Sequence, residues 1–519
     1  MSTSLPNGFT PVHIPLVAFA VRLGVGAGAN ALSGLKVMLV GMMLAAGTAT
    51  ANVPVEVGDA TDANAKFGAR SRLAGAVRAF RMIAPRARLY ACPVADPAGT
   101  AATAVLTFSG PATAAGVIRL RIAGQLVREV QIPSGTTAAD AAALVAAAVA
   151  EMSDLPATGA VGGVGSEHIY TLTASNTGAQ GNQNRVVFES TATGITIALN
   201  GATTAARGKA YFGSGAPATA GSGNPSITAA LAAISGARYD RIGVDVDDDT
   251  LRGTVSTHVD TQSGINVGMR RVAVMPALND TVSTVQADAV AVNNGRVVLL
   301  CQKRPHMPGN EILGAYLAAK VYGPLDGALP GEDTYRAAKA NGLSLYPAIL
   351  ATDEEERLSS TDVNSLLASG VTVIGADFAH PGYASVVRPV TTRTLNAQGG
   401  TSYAVHDTSK VAVPDLVADR LEAWAAANYA DKNLTSDPAT TEEAPSNPRL
   451  IWPSAIRDDV LAILREMEEE GLVRDVTANA SAVTVGTTTV DGTPYAVASI
   501  PTKVIDHLHS TVGDVLQIG

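Results

Sequence analysis

Three features of the sequence predict an α/β core on a doubly wound, mixed sheet, with a β-sandwich-like domain inserted into it and an α+β domain after it. Short apolar runs bounded by glycine alternate with helical patterns near the start and again through the middle of the chain. A stretch rich in Thr, Ala and Gly, with strand-like alternation, interrupts that pattern. A hairpin pattern and two amphipathic helices follow it. Strands separated by helices favour parallel pairing with helices on both faces of the sheet. The expected division is an N-terminal arm (1–30), a core in two parts (31–97 and 213–384), the insert (98–212), a C-terminal domain (385–493) and a C-terminal arm (494–519).

Pro6, Pro11 and Pro15 bar a central strand or helix from the first 30 residues, and Gly24, Gly26 and Gly28 form a flexible exit from them. GLKVMLVG (34–41) reads as a buried strand. Leu73, Val77, Phe80 and Ile83 have helical spacing within 61–85, and 87–95 reads as a second strand, giving a β-α-β start. In the insert, 104–110, 116–124 and 126–135 alternate apolar and polar residues. Ile118, Leu120 and Ile122 point to one side and Arg119 and Arg121 to the other, with a tight turn at Gly124–Gln125. A helix over 137–152 starts at Thr136 or Thr137 as its cap. Residues 169–189 give two strands around a Gly/Asn loop, and 193–199 give another.

The α/β pattern returns near Asn224 and runs helix, strand, helix, with Ile242, Val244 and Val246 alternating into a sheet. It continues through 270–278, 288–302, 311–323 and 359–377. Residues 385–407 read as a hairpin around Asn396–Gly400. Residues 413–430 form a helix with Val417, Leu421 and Trp424 on one face. A second helix starts at Ser454 and is closed by Gly471; its stripe is Ile456, Val460, Ile463, Leu464 and Met467. The tail opens with strand-like Tyr495 and Val497.

At 519 residues the chain has room for several domains of roughly 100–200 residues. Hydrophobic residues are 47% and charged residues 16%, which excludes a disordered chain and suits a surface covered by neighbouring subunits. Lys and Arg number 37 against 46 Asp and Glu, a net charge of -9, with no basic run; nucleic acid is not the expected partner. Cys92 and Cys301 show no CxxC spacing, and reduced thiols are expected. No secretory signal pattern is read at the start, and the apolar run 36–49 is shorter than the ~20 residues that span a bilayer.

Residue patterns that carry chemistry are sparse. GVGAG (24–28) lacks the third glycine of a dinucleotide loop and reads as a hinge. No Walker A, HExxH or GxSxG pattern occurs. Asp245, Asp247 and Asp249 are hard oxygen ligands in principle, but Thr250 and Ser256 stand where a calcium loop needs Gly and Glu. A strand end whose aspartates cap the next helix is the simpler reading. His507 and His509 share a strand face without a third ligand. The charged runs 353–357 and 465–470 read as solvated faces or, more sharply, as complementary-charge contacts in an assembly. A hydrolase on the α/β core, with the β-rich domain as accessory, is the alternative function class, though it lacks a nucleophile elbow. No catalytic, cofactor or metal residue is expected.

GTAATAVLTFSGPATAAGVIRLRIAGQLVREVQIPSGTTAADAAALVAAAVA, followed by YTLTASNTGAQGNQNRVVF, resembles the inserted β-domain of Mu-like contractile phage tail sheath proteins. Residues 62–96, 235–255, 366–374 and 387–434 are similar to further segments of that family, in the family's order. The resemblance implies a non-enzymatic subunit in stacked hexameric rings around a tail tube, which contracts to drive the tube through a cell envelope. The insert would face outward, the core would form the middle layer and the C-terminal domain would line the tube. Implied partners are other copies of the chain, the tube protein, and the baseplate and tail terminator proteins, with no direct nucleic acid and no membrane insertion. The implied place is the virion tail or a phage-tail-like particle, assembled in the host bacterial cytoplasm.

Links that survive such motion suit strand addition by flexible arms. Candidates are Val12, Ile14, Val386, Val387, Val390, Tyr403, Val405, Val512, Val515 and Leu516, with Gly24, Gly26 and Gly28 as hinges. Arg465, Glu466, Glu468, Glu469 and Glu470 are the tube-contact candidates.

Overall fold

The computed structural model describes residues 36–204, 206–264, 267–278, 281–321, 343–438, 447–490 and 493–505. Its centre is a nine-stranded sheet. In order across the sheet the strands are Leu343–Ser344, Ala384–Arg388, Val371–Ala376, Val297–Cys301, Val272–Pro276, Arg241–Val244, Val37–Met42, Leu89–Val94 and Val55–Glu56. The six from Val371–Ala376 to Leu89–Val94 are parallel, and antiparallel strands flank them. Strands covered on both faces need apolar residues at every position, so they read as short continuous runs rather than alternation. The strands Val37–Met42 and Val297–Cys301 are buried throughout.

Helices cover both faces. Arg72–Ile83 and Gly309–Val321 lie on one, through Leu73, Phe80, Leu313 and Leu317. Thr228–Ala233, Asp249–Ser263, Val282–Val292 and Ser360–Ala368 lie on the other, through Leu231, Val255, Val285 and Leu366. The first pair approaches very closely. A Cβ on Gly314 would stand 2.1 Å from the Ala76 carbonyl oxygen, and one on Gly75 would stand 2.9 Å from Asn310 Nδ2. The single helix expected within 61–85 is two, Ala60–Phe67 and Arg72–Ile83. Gly68, at φ 85°, ends the first, and the Ser71 side chain caps the second.

The insert is two five-stranded antiparallel sheets with the helix Ala138–Ala150, capped by Thr137. Its apolar cluster, with Leu106, Phe108, Leu120, Val145 and Phe188, contains only residues between 102 and 212. The tight turn falls at Ala123 and Gly124, both with positive φ (47° and 81°), one residue earlier than expected. A two-residue hairpin loop that follows the strand twist needs that conformation at both places. Ile169–Ala174 and Arg185–Ser190 belong to different sheets, with a 3-10 turn, Ala179–Gln183, between them. The insert closes later than position 212. Thr100 Oγ1 donates to the Ala220 carbonyl (3.1 Å), and Ser222 N donates to the Thr100 carbonyl (3.1 Å), so its two ends lie side by side.

The C-terminal unit packs the helices Ser409–Tyr429 and Pro453–Glu469 with the hairpin Thr484–Val490/Thr493–Ser499. Its cluster runs from Ala412 to Ile500. Four expectations are corrected here. Ala384–Arg388 pairs in the central sheet, because its alternate side chains Ala384 and Val386 fill the core cluster there. A boundary at 384/385 therefore cuts a core strand. The turn at Asn396–Gly400 does form (Asn396 N to Gly400 O, 2.8 Å), but only isolated bridges flank it, at Val390–Asp407 and Leu395–Thr401. Trp424 is 42% exposed; the stripe through Val417 and Leu421 continues at Ala425, four residues on. Residues 494–504, expected to open an arm, fold back instead, and Lys503–Val504 pairs with Val473–Arg474.

Candidate functional site

Each appended unit keeps an apolar cluster of its own, and charged side chains carry the seams between units. The first seam lies at the carboxyl ends of Val37–Met42 and Arg241–Val244. Strand order reverses there, and open α/β sheets usually bind ligands at that point. In this chain the crevice holds Arg72, only 3% exposed. Its guanidinium donates to both Asp245 oxygens (2.6 and 2.7 Å), to the Gln180 carbonyl (2.8 Å) and to Gln183 Oε1 (2.8 Å). Gln180 and Gln183 come from the insert, so the insert fills the crevice.

The neighbouring aspartates are engaged too. Asp247 pairs with Arg252 and accepts from Gln183 Nε2 (3.2 Å). Asp248 caps the next helix through Leu251 N (3.0 Å), and Asp249 pairs with Arg252 (2.7 Å). The three carboxylates weighed as cation ligands thus each face an arginine. A cavity of ≈ 230 Å³ remains at this boundary, between Gln180, Gln183, Tyr211, Asp247 and Pro305. Among the described residues no group of three or more His, Cys, Asp or Glu is set for a metal ion.

The second seam is the 353–357 run. Glu356 meets Arg185 and, at 3.2 Å, Lys209. Asp353 meets Lys209 (3.3 Å), Arg207 (3.4 Å) and His306 (3.2 Å), and Glu355 meets Lys209 (2.8 Å). Burial works against the Glu356 carboxylate, but Arg185 and Lys209 outweigh it and hold the group below its ordinary range. Asp353 and Glu356 therefore clasp core to insert inside one chain, while Glu354, Glu355 and Arg357 stay exposed.

The third seam lies across the opposite end of the sheet. Arg238, Arg270 and Arg296 stand just before three neighbouring parallel strands, Arg241–Val244, Val272–Pro276 and Val297–Cys301. Asp415, Asp419 and Glu422, spaced i, i+4 and i+7 on one face of the helix Ser409–Tyr429, meet them. Arg296 is bidentate to Asp415 (2.8 Å twice) and Arg238 to Asp419 (2.7 Å twice). Arg270 reaches Asp419 (3.3 Å) and Glu422 (3.1 Å). Burial pushes the Asp419 carboxyl up to about 6 even against Arg238. Sequence reasoning missed this seam, although the acidic i, i+4, i+7 spacing beside the Val417/Leu421 stripe was the signal for it.

Among the strand-addition candidates, Val386 is buried between Ile374 and Leu343 of its two neighbouring strands, and Val387 is 40% exposed. Val390 is buried, with its N–H donating to Thr372 Oγ1 (2.9 Å). Val405 is buried, its carbonyl taken by Thr391 Oγ1, and Tyr403 is 52% exposed. Val12, Ile14, Gly24, Gly26, Gly28, Val512, Val515 and Leu516, and the pair His507 and His509, lie outside the described residues. Of the tube-contact candidates, Arg465, Glu466 and Glu469 are exposed on the last helix. Glu470 is bidentate with Arg420 (2.7 Å twice), and Glu468 accepts from Val476 N (3.1 Å).

A Ser/His/Asp group does assemble, at Ser344, His380 and Asp377. Ser344 Oγ donates to Asp377, and both contact the same imidazole nitrogen, His380 Nδ1 (3.4 and 3.1 Å). A nucleophile relay needs the serine and the acid on opposite nitrogens. This group instead fixes the turn through Asp377 Oδ1, which accepts from Ala379 N (2.8 Å). Cys92 and Cys301 are free and buried, and burial pushes both thiols up to about 12. No helix among the described residues is long and apolar enough to cross a membrane.

Comparison with known proteins decides how to read this architecture. The chain is 25% identical over 483 residues to the Mu-like prophage FluMu tail sheath protein of Haemophilus influenzae, covering 92% of this chain and 91% of that protein. This chain resembles the Mu-like tail sheath proteins. No protein-family model matches it. Among solved structures, a sheath tail protein from Listeria innocua aligns over 93% of this chain and 97% of its own at 12% identity, with a TM-score of 0.41. The Escherichia coli flagellar cap protein aligns over 37% and 60%, at 10% identity and a TM-score of 0.13. At those scores neither alignment carries an argument about this fold. The likeness to the tail sheath protein spans the insert, the core and the C-terminal unit together.

Proposed function

We propose that this chain is a structural tail sheath subunit. It polymerises as stacked hexameric rings around a tail tube and contracts to drive the tube through a cell envelope. The observation that carries this reading is the similarity to a tail sheath protein along nearly the whole of both chains. The architecture agrees with it. The crevice where an α/β enzyme would bind substrate is filled by Arg72, Asp245 and Gln183, and the insert and the C-terminal unit sit at opposite ends of one sheet. That arrangement suits an outer layer, a middle layer and a layer against the tube.

In this reading the arms, 1–30 and the segment after 505, add strands to neighbouring copies and hinge at Gly24, Gly26 and Gly28. The exposed Arg465, Glu466 and Glu469 face the tube. The partners are other copies of the chain, the tube, the baseplate and the terminator. The site is the virion tail, assembled in the host cytoplasm. Negative-stain microscopy of concentrated protein tests it: hollow striated tubes are expected, and uniform small particles under assembly conditions overturn it. A chain lacking residues 1–25 is expected to fold but to form no tubes; wild-type tubes from it exclude the N-terminal arm as a link.

A further inference from the structure

The geometry points to a second role for the helix Ser409–Tyr429: it is the catch of an internal hinge, about which the whole C-terminal unit swings away from the sheet. The first turn of that helix is anchored in the core. Val411 belongs to the core apolar cluster, Thr408 Oγ1 accepts from buried Lys320 (3.1 Å), and just before it Asp407 is bidentate with Arg388 (2.8 Å twice). From Ala412 onward every member of the apolar cluster belongs to the C-terminal unit itself. Among the described residues, the contacts that join helix to sheet beyond the anchor include the row Arg296–Asp415, Arg238–Asp419 and Arg270–Glu422.

Such a seam differs physically from an apolar one. Parting an apolar interface leaves hydrophobic surface in water. Parting arginines from carboxylates leaves groups that water solvates well, so the open state remains soluble. Buried ion pairs contribute little net stability compared with apolar packing, but their fixed bidentate geometry specifies one docked orientation. Interfaces of this polar kind within a chain are where relative motion is expected. Residues 407–411 form the pivot and the arginine row forms the catch. The claim concerns one chain and does not depend on the sheath reading.

Double electron–electron resonance on the full chain tests it, with labels at Val290→Cys and Arg465→Cys and the labelled protein diluted in unlabelled chain. Both positions are exposed, and the native cysteines are buried and stay unlabelled. The wild-type seam is expected to give one narrow distance. Asp415→Asn, which leaves Arg296 without its bidentate partner, is expected to add a longer, broader population while the far-ultraviolet circular dichroism stays unchanged. The swapped chain, Arg296→Asp with Asp415→Arg, is expected to recover the narrow peak. A wild-type distribution in Asp415→Asn, or no recovery in the swap, overturns the hinge. If Asp415→Asn fails to fold, the less buried Glu422→Gln carries the test by the same readout, and an unchanged narrow peak there overturns it.

Discussion

Arg72 is one of the residues on which core and insert meet, and its partner Asp245 lies 173 positions away. Removing one member of a buried ion pair leaves the other charged and without compensation, a loss of about 3–5 kcal/mol. Arg72→Ala is therefore expected to lower the urea midpoint by a corresponding amount, and Arg72→Met with Asp245→Leu by much less. Glu311 gives a pH-dependent case. Burial raises its carboxyl from 4.5 to about 7, against the pull of Arg78 and Arg72. The folded state holds that proton more tightly than the unfolded chain does. The contribution to stability is then full below the unfolded value and is lost as pH rises through about 7. Glu311→Gln is expected to flatten the corresponding fall in urea midpoint between about pH 5 and about pH 8. Residue roles were the least legible part of the sequence. The Asp245–Asp249 run showed acid and spacing, but nothing local showed that Arg72 would answer it from another helix.

Among elements, the helix pair Arg72–Ile83 and Gly309–Val321 shows packing overruling propensity. Alanine normally improves a helix over glycine by ~1 kcal/mol. At Gly253, exposed and with nothing within 4 Å of a built Cβ, Gly253→Ala is expected to raise the melting temperature on that account. At Gly314 the same change meets the Ala76 backbone, and overpacking typically costs ~1–3 kcal/mol. Gly314→Ala is expected to lower the melting temperature, so one substitution type takes opposite signs in two helices of one protein. Strands were legible wherever burial on both faces left an apolar run, as in Val37–Met42 and Val297–Cys301. Ala384–Arg388 was recognised as extended but given the wrong neighbour. Alternation states which face is buried, whereas the partner is chosen by sheet edges that lie far off in sequence.

Across the whole molecule, the sequence carried the order of units better than their borders. Composition marked the insert, yet the expected border at 212/213 leaves its closing residues 213–222, which form no strand, in the second part of the core. They are held instead by Thr100, Thr103 and Asn182. Excising the insert by joining Gly99 to Gly223 is expected to leave a folded core and C-terminal unit, checked by circular dichroism and a cooperative melt. Loss of the Arg72 contacts to Gln180 and Gln183 should lower the melting temperature. A collapsed, non-cooperative product would show that the insert is needed for the core to fold.

The neighbouring ends of the insert, at Thr100 and Ser222, also make that position a natural graft point. A foreign domain whose own termini lie close together can replace the insert without stretching the sheet beneath it. On a polymer of this chain, the same point would recur once per subunit and present the passenger as a regular surface lattice.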